Sequence, residues 1–452
     1  MRRRKPPPPG EHAAEILDFD HEGRGVARIN GKATFIADAL PGERVRFRYL
    51  RTGKDADEGQ CVAVDAASPH RVEPQCAHFG VCGGCSMQHL APAQQIRFKQ
   101  KQLLDQLARI GKLAPDEIAP PITGEVWGYR RRARLGAKLV PKKGGVLVGF
   151  RERESSFLAA LESCAVLDPR VGTKLRALGE LIAGLSIRNR VPQIEVACAD
   201  TVALVLRVLD APSEADRARL AAFGAREGFD IYLQSGGPDS IRPLGDDVAP
   251  LEYSPDGSGL RLRFEPADFI QVNGAISQRV VNQALDWLEL APGERVLELF
   301  CGLGNFSLPL ARRGARVLAA EGEDGLVRRA RENAARNGLE VQFVQADLFD
   351  TSADAAWLQP PFDKLLLDPP RAGAREILPI VAARAPQRIV YVSCHPGTLA
   401  RDAGVLVHEH GYRLRRAGVM DMFPQTSHVE SMALFVRQTG DGRGGTGDAD
   451  AA

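Results

Sequence analysis

The segment Glu294-Arg-Val-Leu-Glu-Leu-Phe-Cys-Gly-Leu-Gly-Asn305 constrains this chain more than any other. It reads as an apolar strand that enters a glycine turn, and Phe306 to Arg313 behind it has the pattern of an amphipathic helix. Gly302 and Gly304 allow a sharp turn and the close approach of a ligand to the backbone. The amides that open the following helix can receive its polar atoms. A second strand, Arg316 to Ala320, ends at Glu321, which is 321 − 302 = 19 residues past the first glycine. An acid at that spacing caps a ribose diol in nucleotide-binding folds. Asp347 follows a strand at 341–344, and Asp368 follows one at 364–367. Strands alternating with helices, each ending in an acid at the same edge, predict a doubly wound α/β sheet from about residue 275 onward. The loop reads G-x-G-x-x-S, so the third glycine of the dinucleotide fingerprint is missing.

The chain of 452 residues leaves room for about three domains. From Ala14 to about Asp65 short strands alternate with glycine turns. In Arg44-Val45-Arg46-Phe47-Arg48-Tyr49 the apolar residues take one face and the arginines the other, which predicts a small β-barrel with arginines outward. Residues 92–111 predict a helix begun by Pro92 and stopped by Gly111. The stretch 128–270 is mainly strand-like, with one helical run near 170–185. Residues 1–10 and 438–452 have tail composition and are expected to be disordered. No apolar window is long enough for a membrane span, and the basic start MRRRKPPPPGEH lacks the apolar core of an export signal. A cytoplasmic protein is therefore expected. Its charge, 59 − 57 = +2, excludes a uniformly basic nucleic-acid coat but permits a local basic groove. Between Tyr129 and Lys143 there are seven basic residues and no acid, and Trp127 and Tyr129 could stack bases. That combination suits RNA; a merely solvated basic face is the plainer alternative.

In a reducing compartment the eight cysteines are more readily ligands, nucleophiles or core thiols than disulfides. Cys76, Cys82 and Cys85 form C-x5-C-x2-C, with Gly80, Gly83 and Gly84 supplying tight turns, and can converge on a metal centre. Spacing alone leaves iron–sulfur and zinc both open, with His78 or His89 a further zinc ligand. The C-x3-C-x2-C spacing of radical enzymes is absent. Cys61 and Cys198 have strand-like apolar neighbours and read as core thiols, and Cys301 beside the glycine loop reads as packing. Cys394 directly follows the buried strand 389–393, which puts a thiol at the ligand-binding edge of the sheet unless it is simply buried. Downstream, His428 and Glu430 are able to move protons.

The acids at successive strand ends resemble class I methyltransferases, which bind S-adenosylmethionine there. The set ADFIQVN (267–273), LELFCGLGNFSLPLA (297–311), LLLDPPRAG (365–373), VYVSCHPGTLARD (390–402) and DMFPQTSHVESMALF (421–435) resembles the RNA uracil-C5 methyltransferases, in particular those that modify 23S ribosomal RNA. The resemblance implies Cys394 as nucleophile and Glu430 as general base, with Gln271, Phe300, Asn305, Glu321, Asp347 and Asp368 at cofactor-contact positions. It also implies that Cys164 joins Cys76, Cys82 and Cys85 in holding a 4Fe-4S cluster. The implied architecture has a TRAM (OB-like, RNA-binding) domain at 11–67 and a mainly β iron–sulfur and RNA-binding domain at 68–91 and 128–268. A Rossmann-like methyltransferase domain would comprise 92–127 and 269–437, and a monomer acting on ribosomal RNA would be expected. Two positions depart from the pattern: His395 stands where the family often has Asn, and Pro370 where it has Ala in DPAR. Neither is expected to abolish activity, although His395 would alter how the turn meets uracil. Three rivals differ from this pattern. Relatives acting on tRNA typically lack both the TRAM module and the cysteine cluster. Amino-group methyltransferases carry an aromatic residue where Arg371 stands, and have no need of a nucleophilic cysteine. A non-catalytic RNA-binding factor would have no reason to retain cofactor loop, nucleophile and base together.

Overall fold

The computed structural model describes residues 6–349, 356–358 and 361–438; most of the two expected tails lies outside these residues. An eight-stranded sheet forms the carboxyl-terminal half, in the order Gln342–Gln345, Arg316–Glu321, Arg295–Leu299, Lys364–Leu367, Arg388–Ser393, Glu430–Arg437, Tyr412–Met420, Glu117–Ile118. The first five strands are mutually parallel. Their runs of Val, Leu and Ile serve both faces: Val296, Leu366 and Val390 enter one apolar core, whereas Leu297, Leu365 and Ile389 enter the other. Helices Gly274–Leu288 and Asp324–Arg336 pack into the first core, and Pro92–Gln106 and Pro396–Glu409 into the second. Parallel strands covered on both sides need this continuous hydrophobicity.

The parallel pattern stops where the sequence alternation implied it would continue. Tyr412–Met420 and Glu430–Arg437 form an antiparallel hairpin, and Glu430–Arg437 pairs antiparallel with Arg388–Ser393. The segment 421–429 between them is too short for the dozen or more residues of a parallel crossover, so the chain must double back. That return delivers Glu430, the first residue of its strand, to the same edge as Cys394.

At the amino terminus, six strands between His12 and Ala66 form a sheet whose outer members, His12–Glu15 and Asp18–Phe19, are two pieces of one bent segment. One piece pairs with Arg44–Thr52 and the other with Gly25–Ile29, which closes the sheet on itself. Val45 and Phe47 fill its core while Arg46 and Arg48 face water, as the alternation predicts. The middle region is a second six-stranded sheet, in the order Ile241–Pro243, Phe229–Gln234, Val202–Arg207, Gln193–Cys198, Arg132–Val140, Gly145–Gly149. The strand-like reading of this region omits the helix Glu214–Glu227. Its signals were local: Ser213 and Asp216 form a capping box, and Gly228 ends it in a left-handed conformation. Among the described residues no helix is long and apolar enough to cross a membrane.

Candidate active site at the carboxyl edge of the sheet

A cavity of ≈ 640 Å³ opens at the carboxyl ends of the parallel strands. Gln271, Phe300, Glu321, Asp347, Asp368, Cys394 and Glu430 all line it. Asn305 does not line it among the described residues; its Oδ1 accepts a hydrogen bond from the Tyr253 hydroxyl at 3.3 Å. The glycine loop is tightly wound, with positive φ at Phe300 (63°), Gly302 (55°) and Gly304 (90°). A bulky residue in the left-handed region stores strain of order 1–3 kcal/mol and is characteristic of ligand-binding turns. Glu321 braces the loop: its Oε2 accepts from Gly302 N–H at 3.0 Å, and its Oε1 accepts from Gly322 N–H at 2.8 Å.

Cys394 lies between the strand Arg388–Ser393 and the helix Pro396–Glu409, only partly exposed. His395 is the N-cap of that helix, its Nδ1 accepting from Thr398 N–H at 3.2 Å. Burial pushes the Cys394 thiol up to about 11; Glu430 and Asp368 push the same way and Arg371 opposes them. Burial likewise raises Asp368 to about 7. Glu430 stands well above the usual carboxylate range, first because it is buried and then because Asp368 faces it, with Lys99 and Arg371 opposing. A thiol and two carboxyl groups whose pKa values burial raises are set for proton exchange among themselves and with a bound substrate.

Sequence reasoning missed several members of this site. Phe269 is 71% exposed and Phe349 44% exposed, and both stand at the cavity with Phe423 and Arg371. An exposed Phe inside ADFIQVN was the available signal for Phe269. Lys99 gave none, because a lysine in an amphipathic helix ordinarily faces water. Here it is fully buried and its Nζ pairs with Asp421 Oδ1 at 2.7 Å.

Cys76, Cys82, Cys85 and Cys164 line one small separate pocket of ≈ 20 Å³, with Phe79, Phe150, Leu161 and Val166 among their neighbours. His78 also lines it and accepts from Glu162 N–H at 3.3 Å. His89 does not line it, and neither of its ring nitrogens has a partner among the described residues. Burial raises the Cys85 thiol to about 12 and raises Cys82 and Cys164 as well, neighbouring cysteines adding to the effect in each. Among the described residues no three His, Cys, Asp or Glu side chains converge tightly enough to hold one metal ion. Cys198 and Cys301 are core residues, at 1% and 3% exposure, and Cys61 packs against the amino-terminal core.

The basic run 129–143 is only partly a surface. Arg131 is turned inward, its Nε donating to Gln271 O at 2.8 Å and its guanidinium 4.6 Å from the Tyr253 ring centre. Arg132 pairs with Glu195 at 2.7 Å, and Tyr129 donates to Pro424 O at 2.9 Å from a buried position. A charge run thus contains structural members that only the fold distinguishes. A separate groove of ≈ 750 Å³ on the central sheet is lined by Arg134, Lys138, Arg151 and Arg188, with no acid in its lining.

Residues 251–438 match the family described as tRNA (Uracil-5-)-methyltransferase. A protein of Alkalilimnicola ehrlichii named 23S rRNA (uracil(1939)-C(5))-methyltransferase RlmD is 54% identical over 443 residues, covering 97% of this chain and 99% of that one. A protein of the same name from Methylococcus capsulatus is 50% identical over 438 residues, covering 96% and 99%. The crystal structure of Pyrococcus abyssi tRNA (uracil-54, C5)-methyltransferase in complex with S-adenosyl-L-homocysteine matches with a TM-score of 0.71 at 25% identity, covering 94% of this chain and 99% of that one.

Proposed function

The chain belongs to the RNA uracil-C5 methyltransferase family, among the RlmD enzymes, and from that premise we propose that it methylates C5 of one uridine in 23S ribosomal RNA to form 5-methyluridine. The observation that carries the reading is the convergence of Cys394, Glu430, Asp368 and the strained glycine loop on one cavity. The relatives are named for uracil 1939, and we take the corresponding uridine as the target of this chain. Mapping 5-methyluridine by mass spectrometry in a deletion strain tests this: the modification should vanish at that single position and return with the wild-type gene. Retention there, or loss at a tRNA position instead, would overturn the assignment.

S-adenosylmethionine supplies a methyl group on a sulfonium. Gln271, Phe300, Glu321, Asp347 and Asp368 are the residues that would hold it, and four acids around a cavity suit a cationic ligand with a ribose diol. Cys394 adds to C6 of uracil as a thiolate, which places electron density on C5. Its raised pKa means that the thiol must release its proton to water before it adds. Once C5 carries the methyl group it still holds a proton; Glu430, having first given its own proton to solvent, takes that proton as a carboxylate, and Cys394 then departs as the C5–C6 double bond returns. Glu430→Gln should trap the covalent protein–RNA adduct, visible on a denaturing gel, and Cys394→Ala should form none. Absence of the adduct in Glu430→Gln would count against the base role.

The thiol donors Cys76, Cys82, Cys85 and Cys164 would hold a 4Fe-4S cluster. Zinc on the same thiols, with His78 beside them, is the alternative that metal analysis distinguishes. The part read for the cluster is structural or RNA-positioning, because methyl transfer from a sulfonium moves no net electron. Stoichiometric iron with visible absorption is expected; colourless anaerobic protein containing zinc would overturn it. The closed amino-terminal sheet is read as the TRAM module, and the basic groove on the central sheet as a path for RNA phosphates.

A further inference from the structure

The segment Asp421–Val429, which leads into Glu430, is held from below by buried polar groups that the reaction itself does not use. Gln95 and Lys99 lie one turn apart on the helix Pro92–Gln106, at 1% and 0% exposure. Lys99 Nζ donates to Asp421 Oδ1 at 2.7 Å and to Phe423 O at 2.9 Å. Gln95 grips the same segment with both ends of its amide: Nε2 donates to Gln425 Oε1 at 3.0 Å, and Oε1 accepts from Gln425 N–H at 2.9 Å. The same Nε2, its two hydrogens shared among three acceptors, also lies 2.9 Å from Met87 O and 2.8 Å from Leu90 O, in the segment that follows Cys85.

That segment also reaches the catalytic loop directly. Ser86 and Met87 N–H both donate to Gln425 O at 3.0 Å, and Ser427 N–H donates to Ser86 Oγ at 3.1 Å. Gln425 itself has φ of 68°, a left-handed conformation that needs such support. Met87, Gln88, Gln95, Lys99, Asp421 and Gln425 are all buried, so the bonds among them are shielded from competing water. Gln88 completes the link by accepting from Cys76 N–H at 3.2 Å.

We propose that Gln95 and Lys99 are positioning residues for Glu430, and that through Gln95 the loop carrying Cys82 and Cys85 is mechanically coupled to the loop carrying the base. The proposal rests on the reading of Cys394 as nucleophile and Glu430 as base. It gives the cysteine site a role in catalysis that requires no electron: its loop is one wall of the mould in which the catalytic loop sits. Misplacing a base acts selectively, because addition of Cys394 and methyl transfer precede the step that the base performs.

The test uses the full-length protein with a 23S ribosomal RNA fragment, in Gln95→Ala, Lys99→Met, Cys85→Ser and, as control, Glu430→Gln. In Gln95→Ala, turnover should fall about tenfold to a hundredfold while KM for RNA and for S-adenosylmethionine stays unchanged. The fraction of enzyme held as denaturation-resistant RNA adduct should rise above wild type. Amide hydrogen exchange across 421–428 should speed up in Gln95→Ala and in Cys85→Ser alike. Lys99→Met leaves Asp421 buried without its partner and so risks misfolding; Gln95→Ala carries the test in that case. Unchanged turnover in Gln95→Ala, or adduct falling in proportion to turnover, would overturn the positioning role. Unchanged exchange across 421–428 in Cys85→Ser would overturn the coupling. If Glu430→Gln accumulates no adduct, the reading of the base fails, and exchange across 421–428 in Gln95→Ala then shows by itself whether Gln95 holds that segment.

Discussion

At the scale of single residues, His395 and Asp368 carry opposite lessons. His395 departs from the family's Asn, yet its Nδ1 performs the capping that an Asn oxygen performs well, accepting an amide proton at the start of the helix Pro396–Glu409. His395→Asn should therefore leave the melting temperature and methylation nearly unchanged, whereas His395→Ala should cost about 1 kcal/mol of stability. Only the neutral ring accepts, and burial, with Arg371 behind it, lowers the His395 pKa. The cap's contribution is thus present above the ordinary value of 6.5 and lost as pH falls through the folded value. Asp368 is the reverse: its carboxyl is raised from 3.8 to about 7 by burial. Stability from its protonated form is present below pH 3.8 and lost as pH rises through about 7. The gap of about 3 units corresponds to about 4 kcal/mol. Asp368→Asn should match wild type near pH 4 in denaturant titrations, exceed it in stability at pH 8, and lose methyl transfer. Equal stabilities at pH 8 would show that the carboxylate is solvated or paired after all.

At the scale of elements, what was legible in the sequence was what depends on local pattern. The strand Arg295–Leu299, its glycine loop and the acids after the next strands announce themselves because each strand is apolar throughout and each turn needs special residues. Cys394 and Glu430 could be nominated separately, but nothing local tells that the segment 421–429 folds back to put them on one edge. Asn305, whose role is carried by motif alone, accepts from the Tyr253 hydroxyl outside the cavity lining. The run from Tyr129 to Lys143 shows the limit of reading charge: Arg131 is spent on Tyr253 and on the carbonyl of Gln271, a residue of the cavity. Arg131→Ala should cost about 1.5–3 kcal/mol in thermal unfolding, as for other hydrogen bonds to charged groups, because the Gln271 carbonyl loses a cationic donor. Calorimetric affinity for S-adenosylmethionine should weaken with it, and an unchanged affinity would mean that Gln271 keeps its place without the arginine.

At the scale of the whole molecule, a net charge of +2 says little about where RNA meets the protein, because charge is sorted by fold. The active cavity gathers Glu321, Asp347, Asp368 and Glu430 with one arginine, Arg371, a lining that offers phosphate little to hold while it accommodates a neutral base and a cationic donor. Phosphate binding must then come from elsewhere, and the groove of Arg134, Lys138, Arg151 and Arg188 is basic without an acid in its lining. Of these, Arg134 already shares Glu195 at 3.0 Å, which leaves Lys138, Arg151 and Arg188 as the stronger phosphate contacts. Each phosphate contact contributes about 0.7 to the slope of log affinity against log salt for single-stranded RNA. Replacing Lys138, Arg151 and Arg188 together by Gln should flatten that slope by about 2, since 3 × 0.7 ≈ 2, with melting temperature unchanged because all three side chains face water. Arg131→Ala should leave the slope as it is, since an inward guanidinium releases no counterions. If the triple substitution leaves the slope intact and the Arg131 change flattens it, the RNA path runs along the interior run instead, and the groove on the central sheet is a solvated face.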